Sequence, residues 1–304
     1  MNRLGRLMMI GLVAGALTAC STTQSTDNPE QQAPSDGQVT APGEAVPQDE
    51  EGAVEHTDAD HGGQSGQSDE DISEPPAAEE VPAVDEDEAP PEDYYMNSVY
   101  RIVPKEEGVD DKVVLLTFDD GPKEQAMLDS MIATLAKHDA KAIFFVNGFR
   151  VEKQPELLVQ LHEAGQIIGN HSWDHIELGK ATADEIDQQL EDVQTIVEET
   201  IGSSPKFFRP PFASSNDHVR QKAKEEGMLF MTWSNGSLDW DRNNQTPEAV
   251  VNNVMEQLHP GANILMHELE WTAEALDTLL TRLTDEGYTF LDPRAIDINY
   301  EPEP

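Results

Sequence analysis

Cysteine is almost missing from this chain. Cys20 is the only one in 304 residues, so no internal disulfide can form. Positive charge is scarce too: 19 Lys and Arg face 60 Asp and Glu, a formal net charge of −41. That balance argues against nucleic acid and against electrostatic binding to anionic lipid. Between residues 21 and 100 there is no Lys or Arg at all, against 22 Asp or Glu, and no aromatic residue precedes Tyr94 in that stretch. The apolar run at residues 7–19 is too short to span a bilayer comfortably. No G-x-G-x-x-G follows any candidate strand, which weakens a dinucleotide-binding reading.

What is present falls into three parts. Arg3 and Arg6 precede "LMMIGLVAGALTA", and Cys20 follows, so residues 1–20 read as an export signal rather than a membrane helix. The junction "LTAC" resembles a bacterial lipobox, which implies cleavage and lipidation at Cys20 and a lipid anchor facing the cell wall or periplasm. Residues 21–97, rich in Pro, Ala, Gln, Ser, Gly, Asp and Glu, cannot bury enough apolar surface to offset their ordering entropy and read as a disordered linker. As a flexible coil such a segment reaches roughly 50 Å, at about 5–6 Å × √n, and charge repulsion extends it.

Residues 98–304 look folded. Short apolar runs at 113–118, 142–147, 166–170, 206–209, 229–234, 263–267 and 288–291 alternate with amphipathic stretches. The helical pattern after Thr182 closes at Gly202, and others repeat the theme of polar cap, helix, then Gly. Such alternation means parallel strands joined by right-handed crossovers, hence an α/β domain. The size suits a distorted β/α barrel of about seven parallel strands, with an open doubly wound sheet as the alternative.

Enzymes of either architecture place their chemistry at the C-terminal ends of strands. Those ends read "TFDDG", "GNHSWDH", "FRPPF", "NGSLDW" and "ILMH". His171 and His175 stand four apart, and one helical turn would put both imidazoles on one face; with a carboxylate from another strand they make a facial metal set with open positions. Arg209 is a fixed cation able to orient a carboxylate, and the prolines after it stiffen the turn. Trp240 beside Asp239 suits a sugar groove, and Asp239 can fix the tautomer of His267. His138, His162, His218 and His259 lie on helices or caps and read as structural.

With these five motifs in order, the chain resembles the polysaccharide deacetylase family, carbohydrate esterase family four, also called the NodB-like domain. The resemblance covers roughly 113–291. It implies a distorted β/α barrel, a divalent metal that is commonly Zn2+ (Co2+ or another divalent ion can replace it), and removal of acetyl groups from N-acetylated sugars. Carried over residue by residue, it makes Asp120, His171 and His175 the metal ligands and Asp119 the general base, positioned by Arg209. His267 becomes the general acid with Asp239 as its partner. The backbone N–H of Phe212 would hold the oxyanion, while Trp240 and Leu265 shape the acetyl groove. The implied substrate is cell-wall glycan, on a monomer that touches the membrane only through its lipid. One departure stands out: Gly236 occupies the place of the first Asp in the D-x-x-D-W signature.

The adjacent acids Asp119 and Asp120 pose a geometric problem. Neighbours on a strand point to opposite faces, so both serve one centre only if the chain bends there, and Gly121 would permit a bend. Two carboxylates so close resist joint ionisation unless a cation offsets one and Arg209 the other.

Overall fold

A computed structural model describes residues 89–300. The export signal, Cys20 and all but the end of the acidic linker lie outside them. Among the described residues no helix is long and apolar enough to cross a membrane. The first described strand lies ahead of the expected boundary at 98. Strand β1 (Tyr94–Met96) pairs antiparallel with β2 (Ile102–Pro104), and Tyr94 also bridges Ile296. Composition hides this strap, because β1 is only three residues long and follows directly on acidic, Pro-rich sequence.

The main sheet contains β3 (Val113–Gly121), β4 (Ala142–Val146), β5 (Ile167–Asn170), β6 (Phe207–Phe208), β7 (Leu229–Phe230), β8 (Asn235–Gly236), β9 (Ala262–His267) and β10 (Thr289–Phe290). Its order is β7-β6-β5-β4-β3-β9-β8, with β10 beside the start of β3, and every pairing is parallel. The expected strand at 229–234 forms only at its start, as β7, and a separate strand, β8, follows just beyond it. The chain leaves β7 beside β6 and re-enters beside β9 as β8, with Ser234 N–H donating to Asn263 O on the way. No pairing joins β7 to β8 among the described residues, so the barrel is distorted and open, the expected class.

Among the described residues seven α-helices pack outside: α1 (Gln125–Lys137), α2 (Gly148–Lys153), α3 (Pro155–Glu163), α4 (Ala183–Ile201), α5 (Asp217–Glu225), α6 (Pro247–Glu256) and α7 (Glu270–Asp285). Helix α4 opens on a capping box between Thr182 and Glu185 and ends at Gly202 in the left-handed region. Helix α2 gave no sequence signal, since its six residues bury only Gly148 and Val151.

Period-two alternation separates two of the three apolar clusters, the third lying around Leu190, Phe208 and Val219. Val114, Leu116 and Phe118 of β3 face the helices, joined by Phe144, Val146, Ile264 and Met266. Val113 and Leu115 face the barrel interior with Ile143, Phe145, Phe207 and Met231. The interior row of β3 then continues through Thr117 to Asp119. Inward rows on β5, β6 and β9 likewise end at His171, Arg209 and His267, just where the sequence turns from apolar to reactive. The barrel is therefore packed below and chemical above.

Candidate active site

Arg209 fills the upper barrel and is only 1% exposed. Its Nη1 donates to Asp119 Oδ1 at 2.7 Å and to Thr117 Oγ1 at 2.8 Å, and its Nη2 to Thr232 O at 2.9 Å and Asn263 Oδ1 at 3.1 Å. The guanidinium lies over the Phe145 ring, 4.4 Å from its centroid. Burial alone lowers the guanidinium pKa, and the charge of Asp119 opposes that fall. A buried pair is most damaging when one partner is removed, because the other charge is left uncompensated. Arg209→Met should cost about 3–5 kcal/mol in urea denaturation. Arg209→Lys should lose less stability yet leave Asp119 without its fork.

The bend that brings both acids to one centre is at Asp120 itself, not Gly121. Asp120 has φ 68, and the β3–β4 register shifts between Asp119 and Gly121, a bulge that re-aims the side chain. Gly121 has no left-handed backbone; its missing Cβ makes room for Glu268, whose Oε1 would lie 1.8 Å from a Cβ there.

Asp120 Oδ1 lies 3.5 Å from His171 Nε2 and 3.1 Å from His175 Nε2. The two histidines are not on a helical turn as expected. The segment is irregular, with Ser172 at φ 63 and His175 at φ 56, and the imidazoles meet edge to face at 5.1 Å. His171 Nδ1 is 2.6 Å from Arg209 O and must donate to it, which leaves the Nε2 lone pair free. Asp120 Oδ1 is buried without a hydrogen bond. An orphaned carboxylate oxygen converging with two imidazole nitrogens, all within 4.8 Å of one another, fits a divalent cation. Burial pushes the Asp120 carboxyl up, but His171 and His175, when both imidazoles are protonated, outweigh it and hold it well below the usual carboxylate range.

Across the cavity, Asp239 is fully buried beneath His267. Its Oδ1 is 2.7 Å from His267 Nδ1, and its Oδ2 accepts from His267 N–H at 2.8 Å and Thr272 Oγ1 at 2.7 Å. Burial lowers the His267 pKa, yet the bond to Asp239 and the surrounding carboxylates raise it on balance.

Asp119, Asp120, His171, His175 and His267 line one cavity of about 540 Å³ together with Leu265, Trp233, Trp271, Trp240 and Phe212, while Arg209 and Asp239 lie buried behind it. Phe212 is 66% exposed and Trp240 43%, an apolar rim suited to a sugar face. Among the described residues, six of the eight non-glycine residues with positive φ belong to the site loops: Asp120, Ser172, His175, Phe212, Ala213 and Leu238. Strain concentrated this way marks imposed geometry rather than accident.

Gly236 is not a conformational necessity. A Cβ there would meet Trp233 and Trp240 at 3.5–3.6 Å, ordinary contact, and its φ is not left-handed. Gly236→Ala should therefore stabilise the fold by about 0.4–1 kcal/mol in thermal unfolding, through loss of unfolded-state freedom.

The sequence reading brought Asp119, Asp120, His171, His175, Arg209, Asp239, Trp240, Leu265, Phe212 and His267 together, and all ten meet here. It missed the supports. Thr117 and Asn263 lie on inward rows and were findable by parity, whereas Glu268 and Trp271, whose indole donates to Asp239 O at 2.9 Å, sit beyond the end of β9 and carry no such signal.

A family model described as polysaccharide deacetylase matches residues 106–231. The peptidoglycan-N-acetylmuramic acid deacetylase PdaC of Bacillus subtilis is 40% identical over 190 residues, which are 61% of this chain but only 39% of PdaC. The peptidoglycan-N-acetylmuramic acid deacetylase PdaA of the same species is 36% identical over 183 residues, 59% of this chain and 69% of PdaA. Among solved structures, a CE4 family pseudoenzyme from Bacillus anthracis aligns with TM-score 0.56 and 33% identity, covering 59% of this chain and 63% of that one. With more than two thirds of PdaA covered at 36% identity, and the fold shared with a CE4 protein, the chain belongs to the polysaccharide deacetylase family.

Proposed function

We propose that this chain is a metal-dependent hydrolase that removes N-acetyl groups from cell-wall glycan. One observation carries the reading. A buried Asp–Arg pair and a buried Asp–His pair flank the Asp120, His171 and His175 group within a single aromatic-rimmed cavity. Base, acid and electrophile site are thus all present around one point.

Asp120, His171 and His175 would hold a divalent cation, most simply Zn2+, which would supply Lewis-acid chemistry toward an acetyl carbonyl and a more acidic water. Asp119, fixed by Arg209, accepts the proton of the attacking water. The backbone N–H of Phe212 donates to the oxyanion. His267, kept protonated by Asp239, gives its proton to the departing sugar nitrogen. Trp240 and Leu265 shape the groove for the acetyl group.

The decisive experiment incubates the full chain, loaded with zinc, with peptidoglycan and N-acetylglucosamine oligomers, and locates lost acetyl groups by mass spectrometry. Acetate release that a chelator abolishes is the expected result. PdaC and PdaA are named for N-acetylmuramic acid, so muramic acid in peptidoglycan is the first substrate to test. The resemblance to a CE4 pseudoenzyme supports one competing reading, a wall-binding protein without turnover. Glycan retention with no acetate from any substrate would favour it. The export signal, lipidation at Cys20, the spacer role of the acidic linker and a monomeric state belong to the same proposal, which sets the domain outside the membrane beside its wall.

A further inference from the structure

We propose that Glu268 is a positioning residue for the metal centre: its backbone and side chain brace both sides of the β3 bulge that aims Asp120. The inference rests on the metal reading proposed above.

Glu268 is fully buried, one residue beyond His267, and has no part in the mechanism just described. Its N–H donates to Asp119 O at 3.2 Å, immediately before the bulge. Its Oε2 accepts from Lys123 N–H at 3.0 Å, just after it. Between these two anchors the carboxyl lies against the bare Cα of Gly121, where a Cβ would be 1.8 Å from Oε1. Glu268 thus grips the chain on either side of Asp120, whose φ of 68 lies in the left-handed region. The same acid leaves Oε1 buried with no hydrogen bond. For packing alone that is a poor choice, since an apolar side chain of similar length, such as Met, would fill the space without desolvating a carboxylate. What such a side chain lacks is the acceptor for Lys123 N–H. A role limited to favouring the N-terminus of α7, which begins at Glu270, would not involve Asp120 at all.

The test compares wild type with Glu268→Met, Glu268→Gln and Gly121→Ala, measuring zinc dissociation constants against a chromogenic chelator and melting midpoints of the metal-free proteins. Supports of metal ligands typically contribute about 10–100-fold in affinity, so Glu268→Met should bind zinc at least about tenfold more weakly. Its metal-free form should melt no lower than wild type, because a buried carboxylate has been removed. Glu268→Gln keeps an oxygen for Lys123 N–H and should stay near wild type in affinity. Gly121→Ala forces a methyl into the Glu268 carboxyl while leaving every ligand in place, and should lose affinity as Glu268→Met does. Wild-type zinc affinity in Glu268→Met overturns the proposal, as does equal loss in the Gln and Met variants. If Glu268→Met does not fold, Gly121→Ala decides, and wild-type affinity there overturns it. Failure of the wild type to take up zinc sinks the metal reading itself, and this inference with it.

Discussion

Asp119→Asn and Asp120→Asn should both silence acetate release while differing in what they do to the metal. Asp119 is tied to Arg209 at 2.7 Å and lies 3.8 Å from His171 Nε2. Asn there keeps an acceptor for the guanidinium but cannot take a proton, so kcat/KM should fall by about 10²–10⁴-fold, the usual contribution of a positioned base. Zinc uptake should persist. Asp120 is the oxygen donor of the Asp–His–His group, and its amide replacement brings no charge to a divalent ion. That variant should lose zinc binding along with activity. Thermal shift separates the two: a ligand at a hundred times its Kd stabilises by about 2.7 kcal/mol, so metal should raise the melting point of wild type and Asp119→Asn but not of Asp120→Asn. If the two variants lose zinc alike, Asp119 and Asp120 do not divide the work, and the pair reverts to a strand-to-helix turn.

That division was half legible in the sequence, and the limit was conformational. Parity alone places Asp119 inward, in line with Val113, Leu115 and Thr117, and the same count places His171, Arg209 and His267 inward on their strands. Chemistry-bearing residues at the tops of inward rows are what a barrel sequence displays openly. Asp120 breaks the count, because a non-glycine residue in the left-handed region has no mark in the sequence; the glycine next to it drew the attention instead. His171 and His175 show the same limit, since a spacing of four suggested a helical turn and the chain uses two left-handed residues. The supports of Arg209 were hidden differently. Thr232 contributes only its carbonyl oxygen, which any residue carries, so no side-chain reading could have found it. Seven of the eight main-sheet strands lie in apolar runs that announced them, while β8, at Asn235–Gly236, and the strap strands β1 and β2 lie outside those runs.

Asp239→Asn should move the alkaline limb of the pH–rate profile to lower pH. His267 must carry a proton to release the sugar nitrogen, so activity falls as pH rises through its pKa. That pKa lies above the ordinary histidine value despite burial, because Asp239 and the neighbouring carboxylates outweigh the desolvation that would lower it. Asp239 acts through Oδ1, 2.7 Å from Nδ1, while Oδ2 is engaged by His267 N–H and Thr272. In the asparagine variant the amide oxygen takes over the two Oδ2 bonds, which turns the amide NH2 toward Nδ1. An N–H donor facing Nδ1 opposes protonation there, whereas the carboxylate rewarded it. The neutral imidazole keeps its proton on Nε2 but loses the charge that made it an acid. With burial now unopposed by Asp239, the pKa falls and the limb moves with it. His267→Ala should lose about 10²–10⁴-fold in kcat/KM at every pH and show no limb at all. Zinc content should stay at the wild-type level in both variants, since neither residue belongs to the Asp–His–His group. A limb that stays in place in Asp239→Asn, or one that survives in His267→Ala, would take the proton-donor role away from this histidine.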